Sequence, residues 1–317
     1  MIDQTPYVSA GEMPWKLIKQ AEKAIDCGRI RPLYLQLKPT NRCNANCSWC
    51  STKIAGRDAE MPFAEVHEVL RRFHQLGTKA VSISGGGEPT VHPHFEDIVY
   101  TTLGELDMQV AVTSNGLRPK SLISVKECLS WVRISVIDTF GNYPTERIGE
   151  LCRALDPVDC GISFVVSPGC NFVTARRLAM MVNEIPNLTH IRFVSDLNDP
   201  RAASQTMSDL KKTMADAELL QNGIYQYRLK AMPGPQDCWV SLLKPQVYPD
   251  GYIYPCCGIQ YMADSIDEFE KFRMCHWRDF WWDVKPFDGR ACTKCYYGNY
   301  CEVLGHLRQD IKHGAFV

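Results

Sequence analysis

The run Leu33-Tyr34-Leu35-Gln36-Leu37, the stretch 62–76 and the run Ala80-Val81-Ser82-Ile83-Ser84 decide the fold. In the middle stretch Phe63, Val66, Leu70 and Phe73 share one face at helical spacing, so the three segments read as strand, helix and strand. The alternation continues outward through β-rich runs at Met108 to Thr113, Trp131 to Ile137, Gly161 to Val166 and Thr189 to Val194. A helix is expected over 174–185, where Ala175, Leu178, Ala179 and Val182 align, and a helical stretch from 204 to 221 closes the sixth unit. Six β/α units predict an α/β fold with a parallel sheet, curled by right-handed crossovers into a partial (β/α)6 TIM-like barrel. An open doubly wound sheet has the same periodicity and remains the alternative. Upstream, residues 14–27 have helical spacing, with Pro14 suited to the first turn and Gly28 to the stop.

Beyond the sixth unit the composition changes. Pro233, Gly234 and Pro235 read as a linker, and Gln246 to Pro255, with Pro249-Asp250-Gly251 at its centre, reads as a hairpin. Seven of the fifteen cysteines follow position 237, in a segment short enough to need a metal for much of its order. The expected organisation is an N-terminal helix or extension over 1–32, the barrel over 33–230, and a small cysteine-rich α+β domain over 231–317.

The 317 residues are 45% hydrophobic and 22% charged, with 35 basic against 36 acidic side chains. That composition suits a soluble globular protein with a sizeable core. It argues against binding dominated by neutralised phosphates. Asp3, Pro6, Gly11, Glu12 and Pro14 interrupt any apolar leader, and no later stretch approaches the ~18 apolar residues of a membrane span, so a cytoplasmic protein without a membrane partner is expected. In a reducing compartment the cysteines stay thiols, which favours metal or redox chemistry over disulfides.

Directly after the first strand comes Cys43-Asn44-Ala45-Asn46-Cys47-Ser48-Trp49-Cys50, three thiols in C-x3-C-x2-C spacing. A structural zinc wants four ligands, and the nearest fourth candidate, His67, is on the first helix. Three thiolates suit a 4Fe-4S cluster that keeps one iron open. After the second strand, Ser84-Gly85-Gly86-Gly87-Glu88-Pro89 offers backbone that a ligand can approach closely and a carboxylate that can meet an amine.

Together these two motifs resemble the radical S-adenosylmethionine superfamily. The resemblance implies a partial barrel in which Cys43, Cys47 and Cys50 hold the cluster and the open iron binds the methionine part of S-adenosylmethionine. It also implies that Trp49 lies against the adenine and that Gly85, Gly86, Gly87 and Glu88 hold the methionine ammonium. One electron from the cluster then cleaves the sulfonium, and the 5'-deoxyadenosyl radical takes a hydrogen atom from the substrate. Thr113-Ser114-Asn115-Gly116 resembles a cofactor-binding turn of the family, and Ser135 stands where the family often places a ribose-binding hydroxyl. Asp138 follows Ser135 one residue later than the usual spacing. Arg192, Ser195 and Asp196 end the sixth strand at the same mouth, with Arg192 a candidate cofactor contact and Asp196 a candidate catalytic group; ion pairing or capping would explain them equally.

Cys238, Gly251 and Cys256 in C-x12-G-x4-C spacing, followed by Cys292-x2-Cys295-x5-Cys301, resemble the SPASM and twitch extensions of that superfamily. The resemblance implies one auxiliary 4Fe-4S cluster on Cys238, Cys256, Cys292 and Cys295, with Cys301 an alternative ligand, because Gly305 stands where the full pattern has a further cysteine. Zinc on the same four cysteines has equally suitable spacing. Cys27, Cys128, Cys152, Cys160 and Cys170 read as small buried side chains, and Trp277, Trp281 and Trp282 as packing. The function expected is oxidation or rearrangement of a small polar molecule, served by an electron donor such as flavodoxin or ferredoxin. A peptide, then a nucleotide or nucleic-acid base, are the alternative substrates. A zinc-stabilised binding protein or an electron carrier are the non-catalytic alternatives.

Overall fold

The computed structural model describes residues 15–141, 143–227 and 232–309. The described residues begin with two short helices, α1 (Trp15–Lys19) and α2 (Ala21–Ala24), followed by β1 (Ile25–Asp26) and β2 (Arg29–Ile30), which pair as a hairpin. The continuous helix expected over 14–27 is therefore broken at Gln20, and Pro14 lies outside the described residues. Gly28 does not stop a helix. With Cys27 at φ 48° and Gly28 at φ 74°, the pair forms the left-handed turn that a two-residue hairpin requires. Cys27 is accordingly exposed rather than buried.

All six expected strands form: β3 (Tyr34–Leu37), β4 (Ala80–Ile83), β5 (Gln109–Ser114), β6 (Leu129–Ser135), β7 (Asp159–Val166) and β8 (Leu188–Ser195). The helices between them are α3 (Phe63–Gln75), α4 (Phe95–Tyr100), α5 (Pro119–Ser124), α6 (Thr145–Ala154) and α7 (Phe172–Glu184), and α8 (Pro200–Asp216) follows. Two N-caps explain why the later helices begin where they do. Asn171 Oδ1 accepts from the backbone N–H groups of Val173 and Thr174 at 2.8 and 3.1 Å. Asp199 accepts from that of Ala202 at 3.2 Å, with Pro200 in the first turn; each such cap is worth ~1 kcal/mol.

A seventh parallel strand, β9 (Gly223–Gln226), follows α8. From β3 to β9 every strand pairs in parallel with the next one in sequence. A doubly wound sheet reverses its order at a switch point, and this order does not reverse. At the other edge, after α9 (Val240–Leu243), β10 (Gln246–Val247) pairs in parallel with β3, and β11 (Ile253–Tyr254) folds back antiparallel on β10. The expected hairpin thus exists, with Gly251 at φ 77°, and it extends the main sheet. α10 (Ile266–Glu270) and α11 (Gly298–Leu307) complete the described elements.

Strand register sorts the side chains into two faces. Val112, Val132, Ile134, Ile162, Phe164 and Phe193 share one face, buried in the same core as Leu178 of α7 and Leu210 of α8. The opposite face has Thr113 level with Arg133, Gly161 and His190, and one row on, Ser135 level with Ser163 and Arg192. Among the described residues no helix is long and apolar enough to cross a membrane.

Candidate functional site

The segments that follow β3, β4 and β5 are fastened to one another at the C-terminal ends of their strands. The N–H of Gly87 donates to the carbonyl of Thr40 at 2.9 Å, and that of Glu88 to the carbonyl of Arg42 at 2.8 Å. Thr52 Oγ1 donates to the carbonyl of Gly86 and lies 3.3 Å from Cys50 Sγ. From the third loop, Asn115 Nδ2 donates to Asn44 Oδ1 at 2.8 Å, inside the cysteine loop itself. Arg57 Nη1 donates to the carbonyl of Ala45 at 3.0 Å and braces the same loop.

Close approach explains the glycines. A Cβ on Gly86 would lie 1.7 Å from Asn41 Oδ1, and one on Gly87 would lie 1.9 Å from the backbone oxygen of Arg42. Side chains at these positions would push the β4 loop off the segment that carries Cys43. The donor set fits a cluster with an open iron: Cys43, Cys47 and Cys50 are partly exposed in one loop, and the glycine backbone lies beside it. Trp49, half-buried, packs on Phe140 at 5.7 Å between ring centroids. Burial raises the pKa of Tyr143, opposed by Arg147 and aided by Cys47.

Glu88 is buried among internal donors. Its carboxylate is 2% exposed, and both oxygens are engaged: Oε1 by the N–H and hydroxyl of Thr90 at 3.1 and 2.6 Å and by Ser114 Oγ at 2.8 Å, Oε2 by the N–H of Asn115 at 2.7 Å. The carboxylate therefore ties the β4 loop to the β5 loop. Ser114 and Asn115 are spent on the same joint, since Asn115 Oδ1 also accepts from the N–H of Leu117 at 2.9 Å.

Ser135 ends β6 on the polar face, and Arg192 is level with it through Ser163. Ser195 is buried and donates to the carbonyl of Gln226 at 3.2 Å, a strand tie. Asp196 Oδ1 accepts from the N–H of Asn198 at 2.9 Å, and Asp138 Oδ1 accepts from that of Phe140 at 2.8 Å. Sequence reading missed Arg133 and His190, although a cationic residue and a histidine inside otherwise apolar strand runs were the signal. Arg133 donates to Thr113 Oγ1 at 3.1 Å. His190 is held neutral, its pKa lowered to about 3 by burial and then by Arg192 and Arg133. On the same face the buried carboxamide of Gln226, level with Val194, has no partner among the described residues, and neither does that of Gln246, level with Gln36.

The C-terminal cysteines gather around a second centre. Cys238, Cys256, Cys292 and Cys301 are buried, and Cys257 and Cys295 are partly so. Cys301 Sγ lies 4.0 Å from Cys238 Sγ, so the residue read as an alternative ligand is in contact with the first of the four. Burial raises the Cys292 thiol to about 12, with Cys295 and Cys301 adding to the rise. Backbone N–H groups already reach two of the sulfurs, Gly258 to Cys256 Sγ at 3.3 Å and Tyr297 to Cys295 Sγ at 3.4 Å. The segment read as a linker is stitched to this centre: Gly234 donates to the carbonyl of Cys292 at 3.0 Å, and a Cβ on it would lie 1.9 Å from the backbone oxygen of Gly289.

Among the described residues no three His, Cys, Asp or Glu side chains converge on a point that one metal ion would occupy. Tetrahedral zinc with bonds of ~2.3 Å brings its sulfurs to about 3.8 Å from one another. The 4.0 Å between Cys238 and Cys301 is close to that spacing, and the six cysteines of the group also include the four thiolates that a four-iron core takes. Trp277 is buried and donates to Glu65 Oε1 on α3 at 2.9 Å, whereas Trp281 and Trp282, expected to pack, are exposed beside Arg72 and Arg31.

Residues 37–148, which contain the Cys43–Cys50 loop, the glycine run and Ser135, match the model of the Radical SAM superfamily. The GTP 3',8-cyclase of Clostridium acetobutylicum is 27% identical over 178 residues, 51% of this chain and 55% of that protein. The chain thus spans about half the length of that curated relative. Among solved structures, Streptococcus suis SuiB bound to the precursor peptide SuiA is similar with a TM-score of 0.57 and 17% identity, over 94% of this chain and 78% of that one. Native anSMEcpe with bound AdoMet and the Kp18Cys peptide is similar with a TM-score of 0.55 and 17% identity, over 86% and 84%. At these identities the likeness is one of fold: an α/β architecture with a mostly parallel sheet. Residues 238–301, with the second cysteine group, lie beyond the matched family domain.

Proposed function

We propose that this chain is a radical S-adenosylmethionine enzyme with a partial-barrel catalytic unit over 33–230 and an auxiliary 4Fe-4S cluster in the unit over 231–317, acting on a small polar molecule. The observation that carries the proposal is the fastening of the Cys43–Cys50 loop to the Gly85–Gly87 run and to Asn115, which holds three thiols beside the glycine backbone. When bound, the cluster supplies the electron that cleaves S-adenosylmethionine to a radical able to abstract hydrogen from carbon.

The residues divide the remaining work. Cys43, Cys47 and Cys50 hold the cluster, and Gly85, Gly86 and Gly87 present backbone groups to the methionine end of the cofactor. Trp49, with Phe140 behind it, forms an aromatic wall for the adenine, and Ser135 offers a hydroxyl to the ribose. Glu88, Ser114 and Asn115 act one step back by fixing the loops that make these contacts. A small polar substrate is favoured by the sheet face that Thr113, Arg133, Ser163, His190 and Arg192 share, and by the orphaned carboxamide of Gln226, since buried polar groups of this kind seek polar partners. Asp196, at the end of β8, is the candidate proton acceptor. Cys238, Cys256, Cys292 and Cys295, with Cys301 in contact, suit a cluster that would take one electron from the substrate radical left by hydrogen abstraction, giving the oxidised product as a proton leaves. A peptide substrate is the second reading, favoured by the fold shared with SuiB and anSMEcpe, whose structures contain peptides.

The test is anaerobic reconstitution followed by reduction with S-adenosylmethionine present. Wild type is expected to form 5'-deoxyadenosine and Cys47→Ala none. Equal formation by both proteins refutes the assignment.

A further inference from the structure

Among the described residues, two buried lysines have no carboxylate beside them. Lys38, immediately after β3, is 3% exposed, and Lys244, immediately after α9, is 7% exposed. Lys38 Nζ donates to the Tyr248 hydroxyl at 2.5 Å and lies 4.1 Å from the centroid of that ring. Lys244 Nζ lies 3.8 Å from the centroid of Tyr297, whose hydroxyl is 3.2 Å from Cys257 Sγ. An aromatic face offsets part of the desolvation of an ammonium, but a buried cation still needs an anion nearby or it loses its proton.

The groups around the two ammoniums are cysteine sulfurs, which carry negative charge once they bind a metal as thiolates. Cys257 and Cys256 face Lys38, and Cys257, Cys256, Cys301 and Cys238 face Lys244. Both cations therefore lie near the second cysteine group, Lys38 after the strand that leads into the Cys43–Cys50 loop and Lys244 in the segment between Cys238 and β10, the latter against the Tyr297 ring whose hydroxyl reaches Cys257. A four-iron core on four thiolates is net negative, and one-electron reduction makes it more so. Nearby positive charge then favours the reduced form, because net charge and burial are among the terms that set a cluster's potential.

We propose that Lys38 and Lys244 are the internal counter-charges of the C-terminal centre and that they raise its reduction potential. This inference rests on the auxiliary-cluster reading, and the two can fail separately.

The test uses full-length protein reconstituted anaerobically. Iron is counted first: about eight per chain supports the auxiliary cluster. A count near four, with none on the C-terminal cysteines, overturns that reading and this inference with it. Where the second cluster is present, its spectrum is identified as the signal that survives in Cys47→Ala, and its reduction is followed by potentiometric titration. Lys244→Met is expected to keep its iron but to show at least a tenfold lower ratio of reduced to oxidised centre at fixed potential, a shift of about 59 mV for one electron. Lys244→Arg is expected to restore most of it, and Lys38→Met to move the ratio in the same direction. An unchanged ratio in both methionine variants, with iron retained, overturns the inference.

A thermal measurement covers variants that load poorly. Removing an uncompensated cation should raise the Tm of the metal-free chain and shrink the Tm gained on loading. A gain in Lys38→Met and in Lys244→Met equal to that of wild type also overturns it.

Discussion

The Glu88 carboxylate accepts the backbone N–H of Asn115 at 2.7 Å, across the gap between two loops that both reach the cysteine loop. The motif glutamate thus acts as a clamp, and its N–H donates to Arg42 while its side chain faces inward. Replacing Glu88 by Gln swaps one acceptor oxygen for a donor and leaves at least one of the surrounding donors unmatched. The expected cost is about 1–3 kcal/mol of stability. Urea or thermal unfolding of the metal-free protein measures it. If the carboxylate instead served the cofactor amine, stability would be unchanged and only cofactor affinity would fall.

Much of this architecture is legible in the sequence, and the failures share a physical cause. Strands such as Gly161 to Val166 carry enough branched and aromatic residues to announce themselves. β9, Gly-Ile-Tyr-Gln, is no shorter than β3 or β4, but it starts on a glycine and has a single branched residue, so it is held by its neighbour in the sheet and not announced by its own pattern. The same limit hid the union of the C-terminal hairpin with β3, a long-range pairing that no local pattern encodes. Spacing identified the three thiols and the glycine run, but it does not tell whether a side chain such as that of Glu88 points toward a ligand or back into the fold. Lys38 continues the Tyr34, Gln36 alternation on β3, and only the tertiary structure brings it to the C-terminal cysteines.

The glycine run should tolerate no side chain. Gly87→Ala places a methyl group 1.9 Å from the backbone oxygen of Arg42, which cannot rotate away. Overpacking of this kind is expected to remove ~2 kcal/mol or more and to misplace the β4 loop. Gly104→Ala is the control, because a Cβ there meets nothing within 4 Å and its helical setting favours Ala by roughly 0.5–1 kcal/mol. Unfolding midpoints should move in opposite directions in the two variants.

Iron stoichiometry separates the two cysteine groups. Wild type should contain about eight irons, and Cys47→Ala and Cys292→Ala about four each, since the groups share no ligand. Only the first of these variants should lose reductive cleavage of S-adenosylmethionine. Stoichiometric zinc in Cys47→Ala would instead identify the C-terminal centre as a zinc site.

His190 gives the chain a pH dependence whose sign is fixed by burial. Its imidazole titrates near 3 in the folded protein, lowered by desolvation and then by Arg192 and Arg133, against ~6.5 in the unfolded chain. Above pH 6.5 both states are neutral and the full stability is present. As the pH falls below 6.5 the unfolded chain takes up a proton that the folded chain refuses, so stability drops by about 1.4 kcal/mol per unit until the folded value is reached. At pH 5 the expected loss from this one group is about 2 kcal/mol. Carboxylates titrate over part of the same range, so the measurement is the difference between wild type and His190→Gln. Urea unfolding at pH 7 and pH 5 should show wild type losing about 2 kcal/mol more than the variant, and equal losses would mean that His190 is charged or exposed. The same slope reports on the substrate. His190 shares its face with Arg133 and Arg192, so an anionic small molecule bound there would favour the imidazolium and raise the folded pKa. Such a ligand should flatten the loss between pH 7 and pH 5 in wild type and leave the pH dependence of His190→Gln unchanged, whereas a neutral ligand would stabilise both proteins equally at the two pH values.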